Sequence, residues 1–122
     1  MLPKIVTGTF LALALAVGAH AADISGKWSA SFDTQVGKQS YTYDFTVKGT
    51  QLTGKAKSEN GESEIQNGKV EGDTVTFVEN LKFQGMDLRI EYTGKVVSAD
   101  EIKFTRKVAD TITEELVAKR AK

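Results

Sequence analysis

Cysteine is absent from these 122 residues, and the single proline and single histidine, Pro3 and His20, both fall near the N-terminal end. From residue 22 onward, then, no disulfide braces the chain and no proline interrupts a strand. The same absences exclude chemistry. Zinc sites of His/Cys type, Ser-His-Asp triads and Cys-His nucleophiles all need residues this stretch does not contain. Neither acid nor base is in excess: Lys and Arg number 16, as do Asp and Glu, with no basic tract. Nucleic acid is therefore not an expected partner. Nothing in the composition calls for a metal or a cofactor. Long apolar runs are also missing, since the apolar stretch 5–17 is well short of the ~20 residues that cross a bilayer.

That stretch has a different meaning. Lys4 precedes it and Ala19-His20-Ala21 follows, a positive n-region and a small-x-small cleavage site. Residues 1–21 are thus expected to be a signal peptide, and the exported protein, periplasmic or secreted, to begin near Ala22. An uncleaved N-terminal anchor is the alternative. With no cysteine after the run, a lipid-modified N-terminus is not expected, nor is any membrane span once the signal is removed. Residues 22–122 make one domain, since a single core commonly serves ~100–200 residues.

Apolar and polar residues alternate with period two through nearly all of that domain, and turn residues interrupt them at short intervals. Trp28, Ala30 and Phe32 share one face of a first strand, with a turn over 34–38. Tyr41, Tyr43, Phe45 and Val47 follow, then Gly49-Thr50, then Leu52, Gly54, Ala56 and Ser58. Asn60-Gly61 has the sequence of a type I′ hairpin. Ile65 and Val70 differ in parity, which predicts a β-bulge at Gly68. Gly72-Asp73 leads to Val75, Phe77, Leu81 and Phe83; Gln84-Gly85 leads to Met86, Leu88, Ile90, Tyr92, Gly94 and Val96. After Ser98-Ala99-Asp100 come Ile102, Phe104 and Val108. Residues 111–120 read either as a helix, with Thr111-x-x-Glu114 as capping box, or as an eighth strand carrying Ile112, Leu116, Ala118 and Arg120 inward. The strand is favoured, because it pairs with the first and removes both raw edges. All aromatic residues beyond Phe10 lie on the inward parity. The expected fold is all-β, an eight-stranded antiparallel up-and-down barrel. Its outward face is polar, with Val78 and Val97 as exceptions, opposite to a membrane barrel.

Gly26-x-Trp28 on the first strand, the meander, and Arg120 on the last together resemble the calycins, the group of lipocalins, fatty-acid-binding proteins and avidins. The chain is also similar to small exported bacterial β-barrel domains of uncharacterised function. The resemblance implies that Trp28 packs beneath Arg120, with Gly26 as the matching glycine; parity counting makes Trp28 the barrel's closing structural plug, packed with Phe32. An eight-stranded barrel is just wide enough inside for side chains or one small ligand; the chain lacks the several tryptophans of an avidin biotin pocket, so biotin is not the expected ligand.

Counting outward from the hairpins places Phe45 opposite Gly54 and Phe104 opposite Gly94, rings covering the space a glycine leaves. Three charged residues share the inward parity: Glu79 opposite Ile90, Arg106 opposite Tyr92, and Glu114 opposite Phe104. A buried charge must be paired, solvated or neutralised. Two readings stand. Arg106 and a glutamate form a structural ion pair, or Tyr41, Tyr43, Glu79, Tyr92, Arg106 and Glu114 form the polar anchor of a binding site. A hydrophobic or amphipathic small molecule would suit the second, given a cavity of ~300 Å³ or more. The alternative is a filled-core structural or interaction module, acting through its outer surface or rim on a protein or glycan. Acid–base catalysis by Glu79 and Glu114 has no supporting spacing, so an enzyme is not expected.

Overall fold

The computed structural model describes residues 22–35 and 37–121. The expected signal peptide, 1–21, lies outside the described residues. The alternation becomes eight strands: β1 (Gly26–Thr34), β2 (Gly37–Lys48), β3 (Gln51–Ser58), β4 (Gly61–Glu71), β5 (Thr74–Phe83), β6 (Met86–Ser98), β7 (Glu101–Val108) and β8 (Ile112–Arg120). Each pairs antiparallel with its neighbour in sequence, and β8 pairs with β1 to close the barrel. Period two is what makes this possible, because it sends one side of every strand into a common interior. In β1, Trp28, Ala30 and Phe32 are buried while Lys27, Ser29 and Ser31 are exposed.

Residues 111–120 are a strand and its leading turn rather than a helix. Thr111 sits in that turn, its amide donating to the Val108 carbonyl at 3.1 Å. Leu116 and Ala118 are then buried, and Trp28 pairs with Arg120 and Ser29 with Lys119. On the terminal side the Ala121 amide donates to the Lys27 carbonyl at 2.8 Å, but toward the other end of the strands no further β1–β8 residue pair forms among the described residues. A groove bordered by Phe32, Phe104 and Leu116 runs along the outside of this seam.

Several turns differ from expectation by a residue or more. The Asn60 hairpin turns on Glu59-Asn60, since Ser58 pairs with Gly61, and the left-handed φ of 127° belongs to Gly61. The first turn is tighter than 34–38, with Thr34 paired to Gly37. Between β7 and β8 the chain turns over residues 109–111, with positive φ at Ala109 and Asp110. That centres the hairpin on Asp110 and sets Glu114 opposite Arg106, not opposite Phe104, which instead faces Leu116. The bulge expected at Gly68 is present between Gln66 and Lys69, but its left-handed residue is Asn67, φ 53°. Met86, expected inward, is 61% exposed, because the β5–β6 hairpin runs past the end of the barrel.

Phe45 faces Gly54 and Phe104 faces Gly94, as counted, but the two glycines have different reasons. A Cβ on Gly94 would strike the Phe104 ring, but at Gly54 the obstacle is the backbone carbonyl of Asp44. Gly54 is thus required by strand approach at φ 152°, where a side chain is both strained and without space.

An antiparallel meander gives the barrel two different ends. One, the terminal end, holds residues 22–25, the end of β8 and the turns β2–β3, β4–β5 and β6–β7; the other holds the remaining four turns. The terminal end is sealed. Trp28 is wholly buried and donates its indole N–H to the Ile24 carbonyl at 2.9 Å. Ile24 is buried in turn, and the Ala22 amide donates to Gly72 at 2.9 Å. The Arg120 guanidinium lies over the Trp28 ring, 4.6 Å from its centroid, and donates to the carbonyls of Ser25 at 2.8 Å and Ala99 at 3.0 Å. Gly26 makes this reach possible: a Cβ there would come within 3.1 Å of the guanidinium. Phe32 is not part of this plug. It stacks on Tyr41, centroids 5.6 Å apart, toward the opposite end, since four residue steps along the strand from Trp28 carry it ~13 Å away.

Candidate functional site

The opposite end is open. Between its turns lies a cavity of about 130 Å³. Its walls are apolar, with Leu81, Ile90 and Val108 buried and Leu88, Ile112 and Phe83 half-buried, while Gln35, Gln39 and Asn60 stand at its mouth. Asn60 donates to the Gln39 side-chain carbonyl at 3.1 Å, tying the β3–β4 turn to β2. Tyr41, Arg106 and Glu114 line the cavity as its polar members on the strands beneath.

The alternation of β7 places Arg106 inward, between Phe104 and Val108, and only 4% of it is exposed. Its guanidinium lies over two rings, 5.0 Å from the centroids of both Phe32 and Tyr41. Nη1 donates to the Tyr92 hydroxyl at 2.8 Å and stands 4.0 Å from Glu79 Oε1. On the other side Nε is 2.8 Å from Glu114 Oε1. That contact is an ion pair without an aligned hydrogen bond, so both buried atoms keep unused hydrogen-bonding capacity.

Beneath the cavity, Glu79 is 1% exposed and takes a hydroxyl on each oxygen, Tyr41 at 3.0 Å on Oε2 and Tyr92 at 2.9 Å on Oε1. Tyr92 has one proton, which goes to Glu79. In the 2.9 Å contact between Tyr43 and Tyr92 hydroxyls, Tyr43 is therefore the donor. Phe77 stacks on Tyr92 at 4.3 Å, and Phe104 meets both rings edge-on at 5.7 Å. This ring cluster fills the middle of the barrel and excludes water from the network.

Burial dominates the proton equilibria. It raises the Glu79 carboxyl above its usual range, with Arg106 and the tyrosine hydroxyls pulling the other way. Burial also raises the phenols of Tyr41, Tyr43 and Tyr92, which stay neutral donors. For Arg106 burial opposes the charge, but Tyr92, Tyr41 and Glu79 outweigh it and hold the guanidinium protonated.

Of the six inward polar residues singled out in the sequence, the structure brings all into one connected cluster, but not into one role. Tyr41, Arg106 and Glu114 face the open space; Tyr43, Glu79 and Tyr92 lie below it, out of reach of anything in the cavity. Trp28, Gly26 and Arg120 sit at the sealed end. The cavity is also smaller than the ~300 Å³ expected of a binder, because the aromatic cluster occupies the barrel centre. Sequence reasoning passed over the apolar wall as a site. Leu81, Leu88, Ile90, Val108 and Ile112 were legible as inward but not as bordering empty space. Ser63, whose buried hydroxyl helps to offset the burial of the Glu79 carboxyl, was missed too, although it shares its parity with Ile65.

No protein-family model and no curated protein matches this chain. Among solved structures it is similar to a redesigned β-barrel at 15% identity and TM-score 0.60, covering 81% of this chain and 91% of that one. Another redesigned barrel, mFAP1 bound to DFHBI, matches at 10% identity and TM-score 0.58, covering 80% and 94%. At these identities the likeness is one of fold alone.

Proposed function

We propose that this protein is an exported binding barrel, calycin-like in plan, that takes an apolar group of a small hydrophobic or amphipathic molecule into the cavity at its open end. One observation carries the reading: an apolar-walled space ends on two buried charges, Arg106 and Glu114, whose contact leaves a donor and an acceptor unused. A core built for stability alone gains from closing such space and aligning such a pair. A cavity of about 150 Å³ lined by apolar side chains accepts a benzene ring, so about 130 Å³ suits one ring or a short tail, with the remainder of the molecule at the mouth. Two further features support the reading. The designed mFAP1 barrel, of the same fold, was solved bound to the small molecule DFHBI. Arg120 over Trp28 matches what the calycin resemblance implies. Export rests on the apolar run 5–17 and Ala19-His20-Ala21. The role is binding rather than catalysis, and no cofactor is required.

Native mass spectrometry of protein purified without denaturant tests this. The wild type is expected to carry an adduct of small mass, and Val108→Phe, which fills the cavity, to lose it. A wild type that never carries one, even after exposure to extract, or a filled variant that retains it, defeats the interior site. The filled-core module acting through its rim would then stand.

A further inference from the structure

The floor of the cavity has a chemistry more specific than its size. Arg106 Nε is a donor and Glu114 Oε1 an acceptor, 2.8 Å apart, both buried and neither hydrogen-bonded. Side-chain exposures of 5% and 10% leave water little access to either residue. One guanidinium already faces two carboxylates, Glu114 at 2.8 Å and Glu79 at 4.0 Å.

We propose, on the premise that the cavity is a binding site, that it selects an uncharged single ring bearing a hydroxyl and rejects the same ring bearing a carboxylate or an ammonium. A hydroxyl both donates and accepts. Placed beside the pair, it accepts from Arg106 and donates to Glu114 after a small rotation of the Glu114 side chain, so that each unused atom gains a partner. A carboxylate only accepts; it would satisfy Arg106 but meet Glu114 with nothing to offer and a like charge. An ammonium only donates and meets the guanidinium in the same way. Either charge would be desolvated beside a pair that is already compensated, an unfavourable exchange in a poorly solvated site. A ring without a polar group fills the space but leaves both atoms as they are. Tyr41, which also lines the cavity, has its hydroxyl proton committed to Glu79, so the choice falls to Arg106 and Glu114.

Four probes of one shape test the proposal: toluene, benzyl alcohol, benzoate and benzylammonium, titrated at pH 7 into isotope-labelled full-length mature protein and followed by amide NMR. Benzyl alcohol is expected to shift the amides of Leu81, Ile90, Val108 and Ile112 and to bind at least tenfold more tightly than either charged probe. It should also bind more tightly than toluene. In Glu114→Leu the acceptor is gone and Arg106 is released, so the preference for benzyl alcohol over benzoate is expected to shrink or reverse. If that variant does not fold, the wild-type series decides alone. Benzoate or benzylammonium binding the wild type as well as benzyl alcohol overturns the proposal, and so does toluene binding as well. If none of the four, toluene included, shifts the cavity amides, the cavity is not a site and the reading beneath the proposal fails with it.

Discussion

Trp28 and Glu79 show how a single buried side chain sets the terms for its surroundings. Trp28 has no exposed surface, donates to Ile24 and carries Arg120 on its face. Trp28→Ala removes the largest side chain of the sealed end and leaves a cavity that the strands cannot close. We expect a loss of ~3–5 kcal/mol by urea unfolding, a large part of the ~5–15 kcal/mol a domain possesses. A variant with an unchanged midpoint would show that the plug contributes no stability. Glu79 acts through pH. Its carboxyl is raised above the ordinary 4.5 in the folded state, so between those two values the native state holds more protons than the unfolded one. Stability from this group is complete below pH ~4.5 and is lost as pH rises toward the folded value. Glu79→Gln, neutral at every pH, is expected to gain on the wild type in thermal midpoint as pH moves from 4 to 8. A difference between the two that is constant across this range, or shrinks, would contradict it.

Among the elements, β1 and β8 are paired least. Two residue pairs join them, Trp28–Arg120 and Ser29–Lys119, whereas β5 and β6 share ten from Thr74–Lys95 to Phe83–Met86. Unpaired strand groups are open to water and to local separation. Amides of residues 30–34 and 113–117 that point to the seam are expected to exchange hydrogen faster than those of the β5–β6 ladder. Equal protection would mean the seam is closed in solution. The order of the strands was legible in the sequence, because period two and the glycine hairpins are local signals. Register was less so. Glu114 sits one full repeat from its expected partner because Ala109 and Asp110 adopt positive φ, which neither residue announces as glycine does. Asn60-Gly61 misled in the same way: the pair fits a type I′ turn, yet the chain turns a residue earlier.

At the scale of the whole molecule, the meander makes one end a plug and the other a mouth, with the aromatic cluster between them. The sequence by itself determined the fold class, the inward set apart from Met86, the eighth strand and the presence of three inward charges. These follow from alternation and from the rule that edges and buried charges must be resolved, both properties of residues along a strand. Only the tertiary structure decided where space remains and which charges face it. Phe32 left the plug for the open end, Glu79 was closed in by the Tyr41 and Tyr92 hydroxyls, and Glu114 came to Arg106. Those outcomes depend on strand tilt, turn length and the volume of rings arriving from several strands at one height. Parity gives a side chain its direction, but its height in the barrel, and the room left there, emerge only when all eight strands are closed.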